Sequence, residues 1–470
     1  MTEPIEIVVV GAGPGGLSAA LAAAQAGARV ALVDNNRQPG GQYFRQPARE
    51  FRGAASPHQR QGADLWQRVQ AAGVHWWAET TAWGAAETRV LTLAGNHAPS
   101  SIQPPAIILA TGTYERTVAF PGWTLPGVMT AGAAQTLLKE QHLLPGKKIL
   151  LVGTGPLQLV LAAELVRAGA HVVAVLEGAP IFQKGAAHLG SLWGQWERVV
   201  EGASSWLTLA SHAVPYRTSW GIVAANGNRQ VAGATIARLD AAWQPVAGSE
   251  EQIACDTICL GYGFIPFTAL AQLLGAQMTW QPELGGDVPT RDANLQTSAP
   301  GVYAVGDGAG IGGAALAQVE GEIAGIAAAA QLGHHADTAA QKIQALLPRL
   351  TRERQFQKMY AALFTPGAGL DTLARDETIL CRCEEITQAD VRRAIALGAN
   401  SAGEVKSITR GGMGDCQGRM CSHLLAHAIA RETQQTLAQV GRVRPRPPLF
   451  PTPIPVLGQV QAARAEESLR

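Results

Sequence analysis

The segment Ile5-Glu-Ile-Val-Val-Val10 is apolar and largely β-branched, and it runs straight into Gly11-Ala-Gly13-Pro14-Gly15-Gly16. An Ala- and Leu-rich run, 17–26, follows, and then Arg29-Val-Ala-Leu-Val33 closed by Asp34. Strand, glycine turn, helix, strand and acidic residue come in the order that a dinucleotide-binding βαβ unit needs. Gly11 permits the tight turn, Gly13 lets the backbone approach a pyrophosphate, and Gly16 lets helix and strand pack closely. The helix N-terminus offers unpaired N–H groups and the positive end of its dipole, and Asp34 can accept hydrogen bonds from ribose hydroxyls. A bare GxGxxG is a weak signal, but this one carries its whole context.

The pattern returns about 140 residues later. Lys148-Ile-Leu-Leu-Val152 leads to Gly153-Thr-Gly155-Pro156-Leu-Gln158, a helical run, and His171-Val-Val-Ala-Val-Leu176 closed by Glu177. Two such units imply two nucleotide-binding domains, the second inserted into the first. Gln158 stands at the third glycine position, where its bulk is expected to loosen the helix–strand contact or change the ligand. The second unit therefore reads either as a nucleotide site, with Gly153, Gly155, Pro156 and Glu177, or as a relic fold that binds nothing.

Two further short strands end in small residues: 106–113, closing on Ala110-Thr111-Gly112, and 301–306, closing on Gly306-Asp307 ahead of an Ala-rich helical run. With Gly40-Gly41-Gln42 after Asp34 and Asn35, these strings resemble the flavoproteins with two dinucleotide domains, which include glutathione reductase-like and thioredoxin reductase-like enzymes. The resemblance implies an α/β, Rossmann-type fold and bound FAD. The implied FAD set is Gly11, Gly13, Pro14, Gly15, Gly16, Asp34, Asn35, Gly41, Gln42, Thr111, Gly112, Gly306 and Asp307. A helix N-cap is the plain alternative for Asp307.

A length of 470 residues suggests about three domains. A net charge of +1 without a long basic run argues against nucleic acid and against electrostatic membrane docking. The early apolar run is too short to span a bilayer, and the chain reads as cytoplasmic, meeting a membrane only through its complex. The expected organisation is 1–115 and 251–335 as the FAD-binding domain, 116–250 as the inserted domain, 336–375 as a helical connector, 376–432 as a cluster domain and 433–470 as a Pro-rich tail. The tail holds Arg442-Val-Arg-Pro-Arg-Pro-Pro-Leu-Phe-Pro-Thr-Pro-Ile-Pro455, which cannot build a core and is expected to lie along this chain or a partner.

Four of six cysteines fall near the C-terminus as Cys381-Arg-Cys383, 32 intervening residues, and Cys416-Gln-Gly-Arg-Met-Cys421. Two close thiolate pairs can hold a [2Fe–2S] cluster or a structural zinc. Cys-x-Cys suits zinc poorly. Lys406, Arg410 and Arg419 would offset an anionic cluster, and Gly411, Gly412 and Gly414 leave N–H groups free to approach sulfur. Cys255 and Cys259 read as buried small residues on one strand face rather than a redox pair, so disulfide reduction is not expected. His58, His75, His97, His142, His171 and His188 share no motif, and no catalytic base stands out.

Taken together, Cys381-Arg-Cys-Glu-Glu-Ile-Thr387 and Thr409-Arg-Gly-Gly-Met-Gly-Asp-Cys-Gln-Gly-Arg-Met-Cys421 resemble the bacterioferritin-associated ferredoxin-like [2Fe–2S] domain. With Gly261-Tyr-Gly-Phe-Ile-Pro266 and Arg444-Pro-Arg-Pro-Pro448, the whole chain resembles the α subunit of heteromeric, dye-linked amino-acid dehydrogenases, a group that takes in opine oxidase, proline and hydroxyproline dehydrogenase and hydrogen cyanide synthase. That resemblance implies a glycine oxidase-like flavoprotein β subunit that oxidises the substrate, together with a small ferredoxin-like γ subunit. Two other readings stay open: a self-sufficient NAD(P)H-dependent reductase, and a structural subunit with ATP in the second site.

Overall fold

A computed structural model describes residues 4–48, 55–86, 88–96, 98–185, 190 and 193–458; His97 and His188 lie outside them. The chain divides into two compact units: residues 1–114, 265–357 and 445–470 form the first, and 115–264 with 358–444 the second.

In the first unit the strands Val302–Ala304, Ala106–Leu109, Ile7–Val10, Val30–Val33 and His75–Trp77 form one parallel sheet in that order. Its central strands are buried throughout, as the unbroken β-branched runs require of a sheet covered on both faces. The helix Pro14–Gln25 packs on Ala314–Gln331, and the contact is made by absent side chains: a Cβ on Gly321 would collide with the Gly15 carbonyl oxygen and one on Gly325 with that of Ala19. Part of the Pro-rich tail, at Leu449 and Phe450, packs on this unit. Leu449 N–H donates to the Trp83 carbonyl (2.7 Å), Leu449 is buried, and the Phe450 ring lies 5.7 Å from Phe267.

The second unit repeats the theme, with parallel strands Tyr216–Thr218, His171–Glu177, Lys148–Gly153, Thr257–Gly261 and Val128–Thr130 in that order. An antiparallel sheet of Trp220–Asn226, Gly233–Arg238 and Glu251–Ile253 joins it. The cysteine segment, with helices Gln388–Ala396, Ala402–Thr409 and Ser422–Thr433, does not have a core of its own. Trp123, Trp243, Leu370, Cys381, Val405, Cys421 and Ile429 belong to one continuous apolar cluster. Trp123 Nε1 donates to the Ile379 carbonyl (2.7 Å), the Arg382 guanidinium lies 5.4 Å from the Trp123 ring centre, and Thr117 Oγ1 donates to the Met420 carbonyl (2.6 Å).

Candidate functional site

In each parallel sheet the strand order reverses beside the strand that precedes the glycine loop, which is where open α/β sheets bind ligands. In the first unit the three loop glycines are required for different reasons. Gly11 has φ +104°, and a Cβ there would collide with the Ala110 carbonyl; a Cβ on Gly16 would collide with the Gly11 carbonyl oxygen. Gly13 has an ordinary extended backbone, and a Cβ on it would meet nothing nearer than Gly41 Cα at 3.9 Å. The protein itself leaves that space open, with room for a ligand to approach the backbone. No side chain caps the helix Pro14–Gln25, which leaves its first-turn N–H groups for an anion.

Around this loop the structure gathers the other expected residues. Asp34 Oδ2 accepts from Ala12 N–H (2.6 Å), and its Oδ1 from the backbone (2.8 Å) and side chain (2.7 Å) of Asn36. Gly40 N–H donates to the Ala12 carbonyl (2.8 Å), which sets Gly41 against Gly13; Asn35 and Gln42 are exposed beside them. Thr111 Oγ1 donates to the Phe267 carbonyl (2.7 Å), and Gly112, at φ +67°, has open space on its Cβ side. Gly308 packs on Thr111 and Gly112. Gly306 N–H donates to the buried Glu320 carboxylate (3.0 Å), itself paired with Arg291 (3.0 Å). Asp307 Oδ1 accepts from Gly312 (2.9 Å) and Gly313 (2.8 Å), tying down the entry to Ala314–Gln331; burial raises its carboxyl above the usual range. The N-cap itself is Gly313.

The second loop is built differently. Gln158 does not loosen its helix: it is fully buried, and Nε2 donates to the Val152 carbonyl (3.2 Å). Its room comes from Gly153 and from Gly261 on the neighbouring strand, where a Cβ would collide with the Gln158 amide. Glu177 is also fully buried and turns both oxygens inward, Oε2 to Gly155 N–H (2.9 Å) and Oε1 to Ala179 N–H (2.8 Å). Burial raises its carboxyl to about 6 despite those hydrogen bonds. The Tyr360 hydroxyl stands 2.9 Å from where a Gly155 Cβ would be, while Pro156 opens the helix Pro156–Arg167 from an exposed position.

The four C-terminal cysteines come together through hydrogen bonds among their sulfurs. Cys421 donates to Cys381 and Cys416, which draws their thiols down to about 6 and about 5. Backbone N–H groups of Gly412, Glu384 and Cys383 add to the effect at Cys381, and those of Met420 and Gly418 at Cys416. Cys421, the shared donor, is held far above the ordinary thiol range. A Cβ on Gly414 would collide with Cys383 Cβ, so the loop wraps closely on that sulfur. Arg410 is paired with Glu384 (2.9 Å). Among the described residues no three His, Cys, Asp or Glu side chains stand as ligands around one metal ion. Backbone N–H groups reach three of the four sulfurs, those of Cys381, Cys383 and Cys416, and thiolates with N–H partners are the donor type that a cluster uses.

Cys255 and Cys259 do not share a face. The chain leaves strand geometry between Ile253 and Thr257, so Cys255 enters the apolar cluster with Trp123 and Cys259 the opposite one with Ile149. Burial raises their thiols to about 11 and about 12, which suits packing and not redox chemistry. His423 is a group that sequence reasoning missed. Its Nε2 donates to the Thr117 carbonyl (2.7 Å), its Nδ1 is buried without a partner, and burial holds it neutral. Its place two residues after Cys421 was the available signal.

Residues 5–333 match the pyridine nucleotide-disulphide oxidoreductase family, and the chain belongs to it; it is an FAD-dependent oxidoreductase. Residues 376–461 match the sarcosine oxidase A3 domain. Among individual proteins, the chain is 35% identical to an opine oxidase subunit from Agrobacterium tumefaciens (strain Ach5), covering 99% of this chain and 94% of that one. It is 32% identical to the HcnB subunit of hydrogen cyanide synthase from Pseudomonas protegens, covering 95% and 96%. The fold is shared with L-proline dehydrogenase from P. horikoshii, with a TM-score of 0.68 at 18% identity over 96% of this chain and 79% of the other. Among the described residues no helix is long and apolar enough to cross a membrane.

Proposed function

We propose that this chain is the FAD- and [2Fe–2S]-bearing electron-transfer subunit of a heteromeric amino-acid or opine dehydrogenase, with opine, hydroxyproline, proline or glycine oxidised on a glycine oxidase-like β subunit, and with a small ferredoxin-like γ subunit in the same complex. The observation that carries it is the pairing of an open glycine loop with four cysteines whose sulfurs are hydrogen-bonded in series, Cys381 to Cys421 to Cys416 to Cys383, in a chain whose relatives are named as subunits of opine oxidase and hydrogen cyanide synthase. Bound FAD supplies two-electron chemistry and a cluster one-electron transfer. The chain's own contribution is to bind and screen them. The Gly13 cradle and the uncapped helix would hold the pyrophosphate, Asp34 the ribose, Thr111, Gly112, Gly306 and Asp307 the remaining flavin groups, and Cys381, Cys383, Cys416 and Cys421 the cluster.

The second loop supports a nucleotide that is held rather than one that delivers hydride. Gly155 N–H and the Glu177 carboxylate are already bonded to each other, and Tyr360 stands over the loop. That favours a structural nucleotide such as ATP over NAD(P)H as electron donor, and the reading includes a cytoplasmic location. The test is iron and acid-labile sulfide analysis of anaerobically purified protein. Two of each per chain, lost in Cys416→Ser while FAD stays, is the expected result; stoichiometric zinc would refute the electron relay.

A further inference from the structure

The helix Trp196–Ser211 buries one face and leaves a second apolar face in solvent. Its inward residues, Ser205 and Leu209, are buried against the helix Pro156–Arg167. At about 100° per residue, Trp196, Val200, Ala203, Leu207 and Ala210 fall within about 40° of a single line on the opposite side. All five are exposed, and strongly so for the large ones: Trp196 59%, Val200 67% and Leu207 71%. The stripe widens at both ends. Trp193 (78% exposed) stacks its ring edge on Trp196 at 5.6 Å, and Phe182 (68% exposed) lies 6.1 Å from Trp206. A helix of a globular unit ordinarily turns charge to water at these positions. Here the charged residues, Glu197, Arg198 and Glu201, sit on the flank and toward the buried side.

We propose that this stripe is a homodimer interface, in which it packs antiparallel on the same stripe of a second copy of the chain. Three observations favour a second copy as the occupant. The first is size. Aromatic side chains of roughly 150–250 Å² each put on the order of 400 Å² into the patch from Trp193, Trp196 and Phe182 alone, about half of the ~800 Å² per partner in a standard interface. Val199, Val200, Ala203 and Leu207 add to that. The second is charge. A two-fold axis sets each residue near it against its own copy, so a self-pairing surface must be neutral there, and this stripe is. The third is shape. With the axis at Ala203, the small residues meet at the centre, Trp196 enters the gap at the copy's Ala210, and Val199 meets the copy's Leu207 in an apolar contact, as helix seams require.

Sedimentation velocity on the full-length, FAD-loaded chain tests this. The wild type should sediment at the mass of two chains, and the Val200→Asp, Leu207→Asp double variant at the mass of one, with FAD content and far-UV circular dichroism unchanged. Because both positions are exposed, the variant keeps its fold. An Ala203→Cys variant should in addition give an oxidised, covalently linked pair that the wild type does not give under the same oxidant. A wild type that is a single chain at every concentration overturns the proposal, including the case in which the stripe is covered only by a coexpressed partner protein. So does a double variant that still dimerises, or an Ala203→Cys chain that does not cross-link.

Discussion

At the scale of single residues, the three glycines of the first loop separate folding from binding. Gly11 and Gly16 answer to the backbone: one holds a positive φ and both face carbonyl oxygens, so any side chain there damages the fold. Gly13 is under no such constraint from the fold, since a methyl group on it meets open space in the protein, and in the proposed reading its role is to admit the pyrophosphate. Gly13→Ala is therefore expected to fold with unchanged thermal stability in the apo form yet to retain FAD about tenfold or more weakly, read by flavin absorbance after gel filtration; Gly16→Ala should instead lower expression of folded protein. Full FAD retention by Gly13→Ala would move the pyrophosphate elsewhere. Glu177 gives a pH prediction. Its carboxyl is raised from 4.5 to about 6 by burial, so the folded chain holds a proton there that the unfolded chain has lost. Its contribution to stability is full below pH about 4.5 and declines by about 2 kcal/mol as pH rises to about 6. The difference in denaturant stability between wild type and Glu177→Gln should carry that slope, whatever constant offset comes from turning an amide N–H toward Gly155 or Ala179. A pH-independent difference would mean that the Glu177 carboxyl titrates alike in the folded and unfolded chains.

At the scale of elements, local rules make the strand, loop and helix units legible, while tertiary compensation does not show. The glycine turns and the switch from unbroken apolar strands to Ala-rich helices are properties of a few neighbouring residues, so both βαβ units are readable from 5–34 and 148–177. The fit of Gln158 is not legible in the same way, because the glycine that makes room for it, Gly261, is a neighbour in space and not in sequence. Cys255 and Cys259 look like one face of a strand because the break before Thr257 has no glycine or proline to mark it. The cysteine segment looks like a module apart, and only the structure shows Trp123 and Trp243 in one core with Cys381 and Cys421. That shared core is testable. Trp123→Phe removes the donor to the Ile379 carbonyl, at the start of the short strand that carries Cys381, and should cost about 1–3 kcal/mol in unfolding free energy. It should also accelerate loss of any bound iron to a chelator. The helix pair of the first unit is equally sensitive. Gly321→Ala drives a methyl into the Gly15 carbonyl, and a loss of about 1–3 kcal/mol is expected, with weakened FAD retention because the facing helix begins at the loop.

At the scale of the whole chain, the arrangement favours electron handling over substrate oxidation. An amine dehydrogenase must hold a substrate carbon against a flavin in a shaped, water-excluding pocket, with a cation for the carboxylate and a group to take the proton. Of the described histidines, His58 packs its ring 4.6 Å from that of Tyr43, next to the Gly40-Gly41-Gln42 turn. His423, the most buried of them, belongs to the cysteine helix and is held neutral against Thr117, and His334 is engaged by Glu6 (3.1 Å). Asp34, the carboxylate nearest the glycine loop, is bonded to Ala12 and Asn36. The Pro-rich tail, a candidate docking strip on sequence grounds, anchors Leu449 and Phe450 on its own unit. The chain purified alone is thus expected to carry FAD but to show no turnover of proline, hydroxyproline, glycine or opines with an artificial acceptor, and to gain it on coexpression with the genes beside its own. NADH or NADPH should bleach its flavin no faster than buffer, because in the proposed reading the second loop holds a structural nucleotide and not a hydride donor. Rapid bleaching by reduced nicotinamide would restore the self-sufficient reductase. Robust amino-acid turnover by the lone chain would place the substrate site within these 470 residues, with the flavin reduced directly by the amine carbon instead of through a second polypeptide.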